Sequence, residues 1–196
     1  MNFLCGIGAI VGGIVAGVVA LVLIIIMVWI MSTYNSFVRL KNNIEEAFST
    51  MDIYLKKRYD LIPNLVETVK GYAKHEKETL ERVIAARNAC AQANSMDDKI
   101  ASEANLGNVL KQLAVVIEKY PELKADKNFN DLQNTLKQLE NEIASSRKYY
   151  NGVTKTYNTR REVFPSNIIA RWFKFEKKPL FEVDSAEERK NVKVEF

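Results

Sequence analysis

The sequence lacks the residues on which common enzyme sites depend. It has one histidine, His75, among 196 residues, and the residue three positions earlier is Tyr72. A helix-borne metal site of the paired Glu-x-x-His kind therefore cannot be built. Phosphate-cradling glycine loops, paired Cys-x-x-Cys motifs and the zinc-protease helix motif are absent as well. We therefore predict that the protein is not an enzyme and has no catalytic residues, metal or cofactor.

Cysteine and net charge are also low. Cys5 and Cys90 are the two cysteines, one in an apolar run and one in a later helical stretch, which predicts two unpaired thiols. The formal charge is +4. Proteins that bind nucleic acid usually carry a concentrated basic face, so we expect no nucleic-acid partner.

No Lys, Arg, Asp or Glu occurs before Arg39. Within that stretch, residues 7–31 form an apolar run that would be about 37 Å long as a helix, longer than a hydrocarbon core of about 30 Å. A signal peptide would have a basic start, a shorter apolar run and a small-residue cleavage site. Trp29 and Tyr34 fall where aromatic rings prefer the headgroup layer. The sequence predicts a short N-terminal segment, 1–6, and an uncleaved transmembrane helix, 7–31.

The charges beside this helix predict its orientation. Arg39 and Lys41 follow the span, whereas the N-terminal side has no Lys or Arg. The positive-inside rule places the large domain in the cytoplasm and the N-terminus outside, in a cell inner or plasma membrane.

Small residues recur every four positions in the first half of the span, which lets helix backbones approach closely and predicts a homo-oligomer. Glycine is also simply common in membrane helices, and this alternative stays open. The candidate self-association residues are Gly8, Gly12, Gly13 and Gly17.

After the span, apolar residues recur at the spacing of coiled-coil-like helices, without the alternation of strands. Four such stretches begin near Phe37, Val69, Leu106 and Phe129. "ANSMDD", and Asn128 or Asn130 in "YPELKADKNFND", supply caps between them. We predict an all-α fold: a single N-terminal transmembrane helix followed by an up-and-down antiparallel four-helix bundle over residues 33–164.

Pro63 leaves two arrangements open. With Asp60 as a cap, Pro63 fits the first turn of a new helix, where its missing amide is harmless. Otherwise Pro63 only kinks one very long helix, which leaves three long helices. We favour the turn, because a short break lets the first two apolar seams face each other.

An even number of helices returns the chain to the membrane, so residues 165–196 are predicted to lie near the bilayer as an amphipathic basic-aromatic segment and tail. Cations meet anionic headgroups while aromatic rings enter the interface. Alternatively, the apolar residues close the end of the bundle. The candidate membrane-surface residues are Arg171, Trp172, Phe173, Lys174, Phe175, Lys177 and Lys178.

Three charged residues, Arg58, Glu76 and Arg87, occupy seam positions where apolar residues are usual. Because buried charges need partners, we predict that they pair across the first two helices and fix the register. The alternative is that their long side chains extend to the edge of the bundle. The stretch from Arg58 to Glu76, which includes His75, is interpreted as a corner of a scaffold.

Several stretches resemble the LemA family: "YNSFV", "KKRYDLIPNLVETVKGYAKHE", "AAR", "LENEIASSRKYYNGVTKTYN", "FPSNIIARWF" and "FE". The resemblance runs from about Tyr34 to the C-terminus. It implies a bacterial membrane protein with one N-terminal span and an antiparallel helical bundle. The family has no settled activity, so no functional residue is carried over, although some members are linked to shaping or organising membranes.

The sequence thus predicts a non-enzymatic, membrane-anchored helical scaffold or interaction protein. The last helix is longer than the third, which leaves Leu132, Leu136 and Leu139 as candidate contacts for another membrane or cytoplasmic protein. The alternative function is a lipid-binding or membrane-organising protein that acts through its basic aromatic C-terminal segment.

Overall fold

The protein, described by a computed structural model, folds into α helices. The structure describes residues 2–93 and 95–181, with side chains from residue 12 onward, and no strand occurs in these ranges. The all-α fold with a long apolar N-terminal helix is confirmed. The helices are α1 (Asn2–Tyr72), α2 (Lys77–Gln92), α3 (Met96–Ile117), α4 (Pro121–Ala125), α5 (Lys127–Glu162) and α6 (Ser166–Trp172).

The chain divides into two compact units. Within the described ranges, residues 2–43 and 156–178 form one, which we call the N-terminal unit, and residues 44–93, 95–155 and 179–181 form the other, which we call the bundle unit. Helices α1 and α5 each contribute residues to both units, whereas α2, α3 and α4 belong to the bundle unit.

The favoured turn at Pro63 is wrong. Helix α1 contains 71 residues and continues through Pro63 to Tyr72. The chain turns at residues 73–76 instead, where His75 is exposed. The corner therefore lies at the end of the predicted stretch and not at its proline.

Pro63 is tolerated because its effect on the backbone is compensated by another residue. Proline has no N–H, so the carbonyl of Tyr59, four residues earlier, has no helical donor. The Nε of Arg87 on α2 donates to this carbonyl at 3.0 Å. The buried side chains of Ile62 and Val66 on either side continue the core across the proline.

In the bundle unit, α1 and α5 run antiparallel. The Phe48 ring lies 6.0 Å from Tyr150, and the Tyr72 hydroxyl donates to Asp126 at 3.0 Å. Residues later in α1 thus contact residues earlier in the chain at α5, which is the antiparallel order. The helices α2 and α3 are joined by a short connection and pack on this pair. The largest fully buried side chains of this unit include Met51, Leu55, Ile62, Leu106, Leu113, Phe129 and Ile143.

Side-chain oxygens cap the start of two helices. Ser95 precedes α3 and accepts from the Asp98 amide at 3.0 Å, as "ANSMDD" predicts. Helix α5 is capped by Asp126, which accepts from the Phe129 amide at 2.8 Å, and not by Asn128 or Asn130. The backbone hydrogen bond from Phe129, with a further bond from Tyr72, lowers the pKa of Asp126. Asp126 is the better cap because its carboxylate is charged and complements the positive helix N-terminus.

In the N-terminal unit, the first part of α1 is an uncovered apolar helix. Residues 12–28 are all exposed, including Ile14 at 62% and Met27 at 63%. An 18-residue window of this helix has a mean hydropathy of 3.2, and none of it is buried. These properties are compatible with a single-pass membrane protein.

Candidate functional site

A cluster of charged and polar side chains with a buried centre lies in the bundle unit; we call Arg58, Tyr59, Glu103, Glu140 and Arg147 the charge cluster. Glu140 and Arg147 form its exposed edge. The Glu103 carboxylate accepts from the guanidinium of Arg58, from the Tyr59 hydroxyl, and from Arg147 at 2.8 Å. Arg58 also donates to Glu140 at 2.7 Å. The side chains of Arg58 and Glu103 are only 3% and 1% exposed. The cluster thus ties α1, α3 and α5 together at one level of the bundle.

The protonation of this cluster follows from its surroundings. Burial disfavours the charged form of Arg58, but the Glu103 and Glu140 carboxylates outweigh it and raise the pKa of Arg58. Burial raises the pKa of Tyr59, and the nearby Glu103 carboxylate raises it further. Tyr59 therefore stays a neutral hydrogen-bond donor, and Glu103 is occupied by three donors. That buried charges fix the helix register stays a prediction.

The structure does not bring Arg58, Glu76 and Arg87 together, so their predicted pairing is corrected. Arg58 is buried and paired, but its partners are Glu103 and Glu140. Glu76 lies 18 residues beyond Arg58, just after α1, and receives a long 3.4 Å hydrogen bond from Tyr120. The later turn separates the two charges, because α1 continues for 14 residues beyond Arg58, which span about 21 Å.

Arg87 has the backbone role described above. Its Nε serves the Tyr59 carbonyl, and a second nitrogen lies 3.7 Å from the Asp60 carboxylate. Arg87 thus occupies a seam position because it donates to the carbonyl that Pro63, on the facing helix α1, leaves without a helical donor.

A groove lies beside the charge cluster between α3 and α5, with a volume of about 1130 Å³. Leu110, Leu113 and Leu136 contribute apolar surface, whereas Lys111 and Lys137 are among its basic residues. Leu132, Leu136 and Leu139 are each half-buried, so this side of α5 is only partly covered. The groove has the mixture of apolar and basic surface that suits an acidic amphipathic segment.

Aromatic rings cluster in the N-terminal unit around the part of α1 that follows the apolar run. The Phe175 ring stacks on Phe37 at 4.8 Å, Phe37 meets Tyr157 edge-on at 5.9 Å, and Phe173 lies 4.7 Å from Tyr34. The segment after α6 is therefore packed against α1 a few residues beyond the predicted span.

The turn between α6 and this ring cluster has a left-handed residue. Lys174 has a φ of 54°, and the Phe175 amide donates to the Ala170 carbonyl at 2.9 Å. A Lys174 amide bond to Arg171 at 3.2 Å completes the pattern of a Schellman motif, whose left-handed position usually holds glycine. This turn directs Phe175 back onto Phe37.

The predicted membrane-surface residues divide into two groups. Arg171, Phe173, Lys174 and Lys177 are exposed, and Trp172 is 70% exposed. Phe175 and Lys178 are half-buried, and Phe175 belongs to the ring cluster. Both interpretations of this segment thus have structural support in different residues, and membrane contact stays a prediction.

The glycines of the span also stay a prediction. At Gly12, Gly13 and Gly17 an added Cβ would meet no atom within 4 Å. The surroundings of Gly8 lie outside the described side chains.

A repeated Tyr-Asn pair on α5 is the feature that the sequence analysis missed. In the bundle unit, the Tyr150 hydroxyl donates to the Pro179 carbonyl at 2.8 Å. The Asn151 amide bonds both the N–H and the C=O of Phe181 at 2.9 Å. One amide side chain thus satisfies both polar backbone groups of an extended residue.

The same arrangement recurs in the N-terminal unit seven residues later. The Tyr157 hydroxyl donates to the backbone carbonyl of Glu176 at 2.9 Å, and the Asn158 amide bonds the C=O and the N–H of Lys178 at 2.8 and 3.0 Å. The signal in the sequence was the Tyr-Asn dipeptide at 150–151 and again at 157–158. We call these four residues the Tyr-Asn ladder, because they fasten the extended segment 175–181 to α5.

Within the described ranges, no group of three or more His, Cys, Asp and Glu side chains is arranged to hold a metal ion. Cys90 is a buried free thiol, and burial raises its pKa. The chemistry shown by these side chains is ion pairing and hydrogen bonding.

Comparison with known proteins gives relatives over most of the chain. Protein LemA of Metamycoplasma hominis is 23% identical over 138 residues, which cover 70% of this chain and 63% of that protein. The magnetosome proteins MamQ 2 of Paramagnetospirillum magneticum and MamQ of Magnetospirillum gryphiswaldense are each 22% identical over 167 residues, 72% of this chain and 61% of theirs. The chain thus spans less than two thirds of the length of these relatives. The sequence pattern of the LemA family matches residues 47–196, and the chain belongs to that family.

Proposed function

We propose that this protein is a non-enzymatic helical scaffold that is anchored in a membrane and binds a partner protein. The observation that carries the proposal is the continuity of α1, which extends without a break from an uncovered apolar run to Tyr72 in the bundle unit. The paired state of the charge cluster supports a structural role for its charges.

Anchoring is tested by extraction of native membranes with alkaline carbonate. The full chain is expected to stay with the membrane, and a chain with Leu21→Arg, Ile24→Arg and Val28→Arg is expected to be released. Charged residues at the centre of a span each oppose insertion by roughly 3 kcal/mol. Release of the unaltered chain would contradict the proposed anchor.

The bundle is proposed to face the cytoplasm, with the N-terminus outside, in the inner or plasma membrane of a bacterium. Arg39 and Lys41 just after the span support this orientation. In a Cys5→Ser background, which removes the native thiol of the N-terminal segment, a membrane-impermeant thiol reagent should label Cys placed at exposed Lys127 only in opened cells. Labelling in intact cells would reverse the assignment.

For the partner, we propose an amphipathic helix with acidic residues that docks in the groove between α3 and α5. The apolar floor would take its apolar face, while exposed Lys111, Lys137 and Lys148 meet its carboxylates. Charge complementarity of this kind mainly sets association rate and specificity.

A photo-crosslinking residue at Leu136, inside the groove, tests this partner in native membranes. We expect a discrete adduct that is lost when Lys111 and Lys137 are changed to Glu. The control is the same probe at Ile53, which is 56% exposed and does not line the groove. Equal adducts at both positions, or an adduct that survives charge reversal, would contradict groove docking.

A second candidate function is the organisation of lipid by the exposed face around α6. Phe164 and Trp172 are 79% and 70% exposed in the unit that also contains the apolar run, and Arg171 and Lys174 lie beside them. Aromatic and basic side chains together favour a membrane interface. A spin label at Trp172 should report proximity to the bilayer, whereas one at Lys127 should not. A Trp172 label in bulk solvent would exclude this function.

A further inference from the structure

A small polar cleft lies beside the end of the apolar run in the N-terminal unit. It has a volume of about 540 Å³. Apolar Val28 and Met31 line one part of it, and the remaining lining residues are Ser32, Asn35, Ser36, Arg39 and Arg160. All but Arg160 come from one face of α1, because their positions recur every three or four residues. The cleft therefore passes from an apolar wall to a wall of hydroxyl, amide and guanidinium groups.

The two arginines of this cleft have unused hydrogen-bonding capacity. Neither Arg39 nor Arg160 forms an ion pair with another residue in the described ranges. The Nε of Arg160 is buried without a hydrogen-bond partner among those residues. This N–H can therefore donate to a further acceptor, as can the same atom of Arg58 and Arg147 in the charge cluster. The acceptor must also tolerate a second guanidinium, which favours an anion.

The level of the cleft along α1 matches the headgroup layer. Arg39 lies eight residues beyond Met31, or about 12 Å along the helix axis. Helical side chains lean toward the helix N-terminus, so the long side chain of Arg39 extends back toward the apolar run. Val28 and Met31 belong to the predicted span itself. Polar and apolar walls thus meet at the depth where the phosphate of a lipid lies above its acyl chains.

We propose that this cleft binds the phosphate of an anionic phospholipid headgroup. The inference rests on the proposed membrane anchor. The guanidinium groups of Arg39 and Arg160 hold phosphate oxygens through charge-assisted, bidentate hydrogen bonds. Ser32, Ser36 and Asn35 donate to the remaining oxygens of the headgroup. Val28 and Met31 contact the first carbons of the acyl chain.

The test uses the full chain in nanodiscs that contain equal amounts of phosphatidylcholine and phosphatidylglycerol. Native mass spectrometry measures which lipid stays bound after release from the disc. We expect retained phosphatidylglycerol, and a loss of about tenfold or more in Arg39→Gln/Arg160→Gln, because two charge-assisted contacts disappear. The matched control is Lys56→Gln/Lys127→Gln, which removes the same charge from exposed positions of the bundle unit and should keep the bound lipid.

A conservative variant separates binding geometry from folding. Arg39→Lys/Arg160→Lys keeps both charges but loses the planar guanidinium, so we expect intermediate retention with an unchanged circular dichroism spectrum. Equal losses in the cleft variant and the control would show general surface attraction and would overturn the site. Failure of the unaltered chain to retain phosphatidylglycerol over phosphatidylcholine would overturn it as well.

Free phosphate is distinguished from lipid by competition. Inorganic phosphate added to the discs displaces the lipid if the cleft takes soluble phosphate equally well, and leaves it bound if the acyl contacts of Val28 and Met31 contribute. The carbonate extraction described above reports on the anchor independently. If the chain resists carbonate extraction but retains no phosphatidylglycerol, the cleft proposal is rejected and the proposed anchor stands.

Discussion

The pairing of Arg87 with the backbone next to Pro63 gives a sharp prediction. Arg87→Met keeps the aliphatic stem but removes the donor to the Tyr59 carbonyl, which lies 3.0 Å from the arginine Nε. A buried polar group that loses its partner costs about 1–3 kcal/mol. The ion pair of Arg87 with Asp60 contributes little beyond this, because its atoms are 3.7 Å apart and Asp60 is 65% exposed.

Pro63→Ala supplies the comparison. The alanine has the N–H that proline lacks, and in an α helix this N–H donates to the Tyr59 carbonyl. The carbonyl is then satisfied without Arg87. We therefore expect Arg87→Met to cost only about 0.5 kcal/mol in the Pro63→Ala background, an exposed-residue value. The coupling between the two positions, which is the difference between these two costs, should be about 0.5–2.5 kcal/mol.

Equilibrium unfolding of the four proteins of this cycle, in urea and detergent and followed by circular dichroism, measures the coupling. The loss in the Pro63 background corresponds to a melting temperature lower by roughly 2–12 °C for a chain of this size. Arg82→Met, at an exposed position on the same helix, is the control and should be near neutral. If Arg87→Met costs the same with proline and with alanine at position 63, the compensation argument is refuted.

Further predictions concern other parts of the fold. Glu103→Gln should lower the free energy of unfolding by about 1.5–3 kcal/mol because the buried Arg58 guanidinium loses one of its two carboxylate partners, while exposed Glu142→Gln should be near neutral in the same urea titration; a Glu103 loss below about 1 kcal/mol would contradict burial of the pair. Lys174→Gly should raise thermal stability by about 0.5–1 kcal/mol, because glycine avoids the left-handed penalty at φ 54°; a lower melting temperature would count against this turn. Asn158→Ala should speed tryptic cleavage of the Lys177–Lys178 bond, because Asn158 holds the backbone of Lys178, and an unchanged cleavage rate would show that the ladder does not fasten the segment. Burial raises the pKa of Tyr59 in the folded protein. The contribution of Tyr59 to stability is therefore complete below the unfolded pKa of about 10 and declines as the pH rises above that value. Tyr59→Phe should reduce this decline in unfolding titrations at increasing pH, and an unchanged pH dependence of the free energy of unfolding would contradict the argument.

The helical periodicity was enough to predict the all-α fold, but not every buried residue. Phe37, where the first predicted stretch begins, and Ile44 and Met51 at heptad spacing after it are buried. Beyond Met51 the buried positions move to Leu55 and Ile62. A strict heptad has a period of 3.5 residues, whereas an α helix has 3.6, so a buried face drifts along a long helix. Periodicity alone therefore identifies the helix better than its buried face.

The errors in the predicted sites have a common physical cause. A charge on a seam indicates that a partner is needed, but the sequence does not say which helix supplies it. Arg58 finds Glu103, which is 45 residues away, and Arg87 finds a backbone carbonyl. A backbone acceptor has no signature in side-chain patterns. The Tyr-Asn ladder was missed for the same reason, since its bonds to the extended segment 175–181 all go to main-chain atoms.

The sharing of one carboxylate by three donors also limits how these sequences can diverge. Replacement of Glu103 leaves Arg58 with a single acceptor, and no exchange of one donor repairs that loss. A viable path must change several sites in concert, for example toward apolar side chains of similar volume. Across an alignment, positions 58, 103 and 147 should accordingly covary, with charged residues at all three positions in some lineages and apolar residues at all three in others.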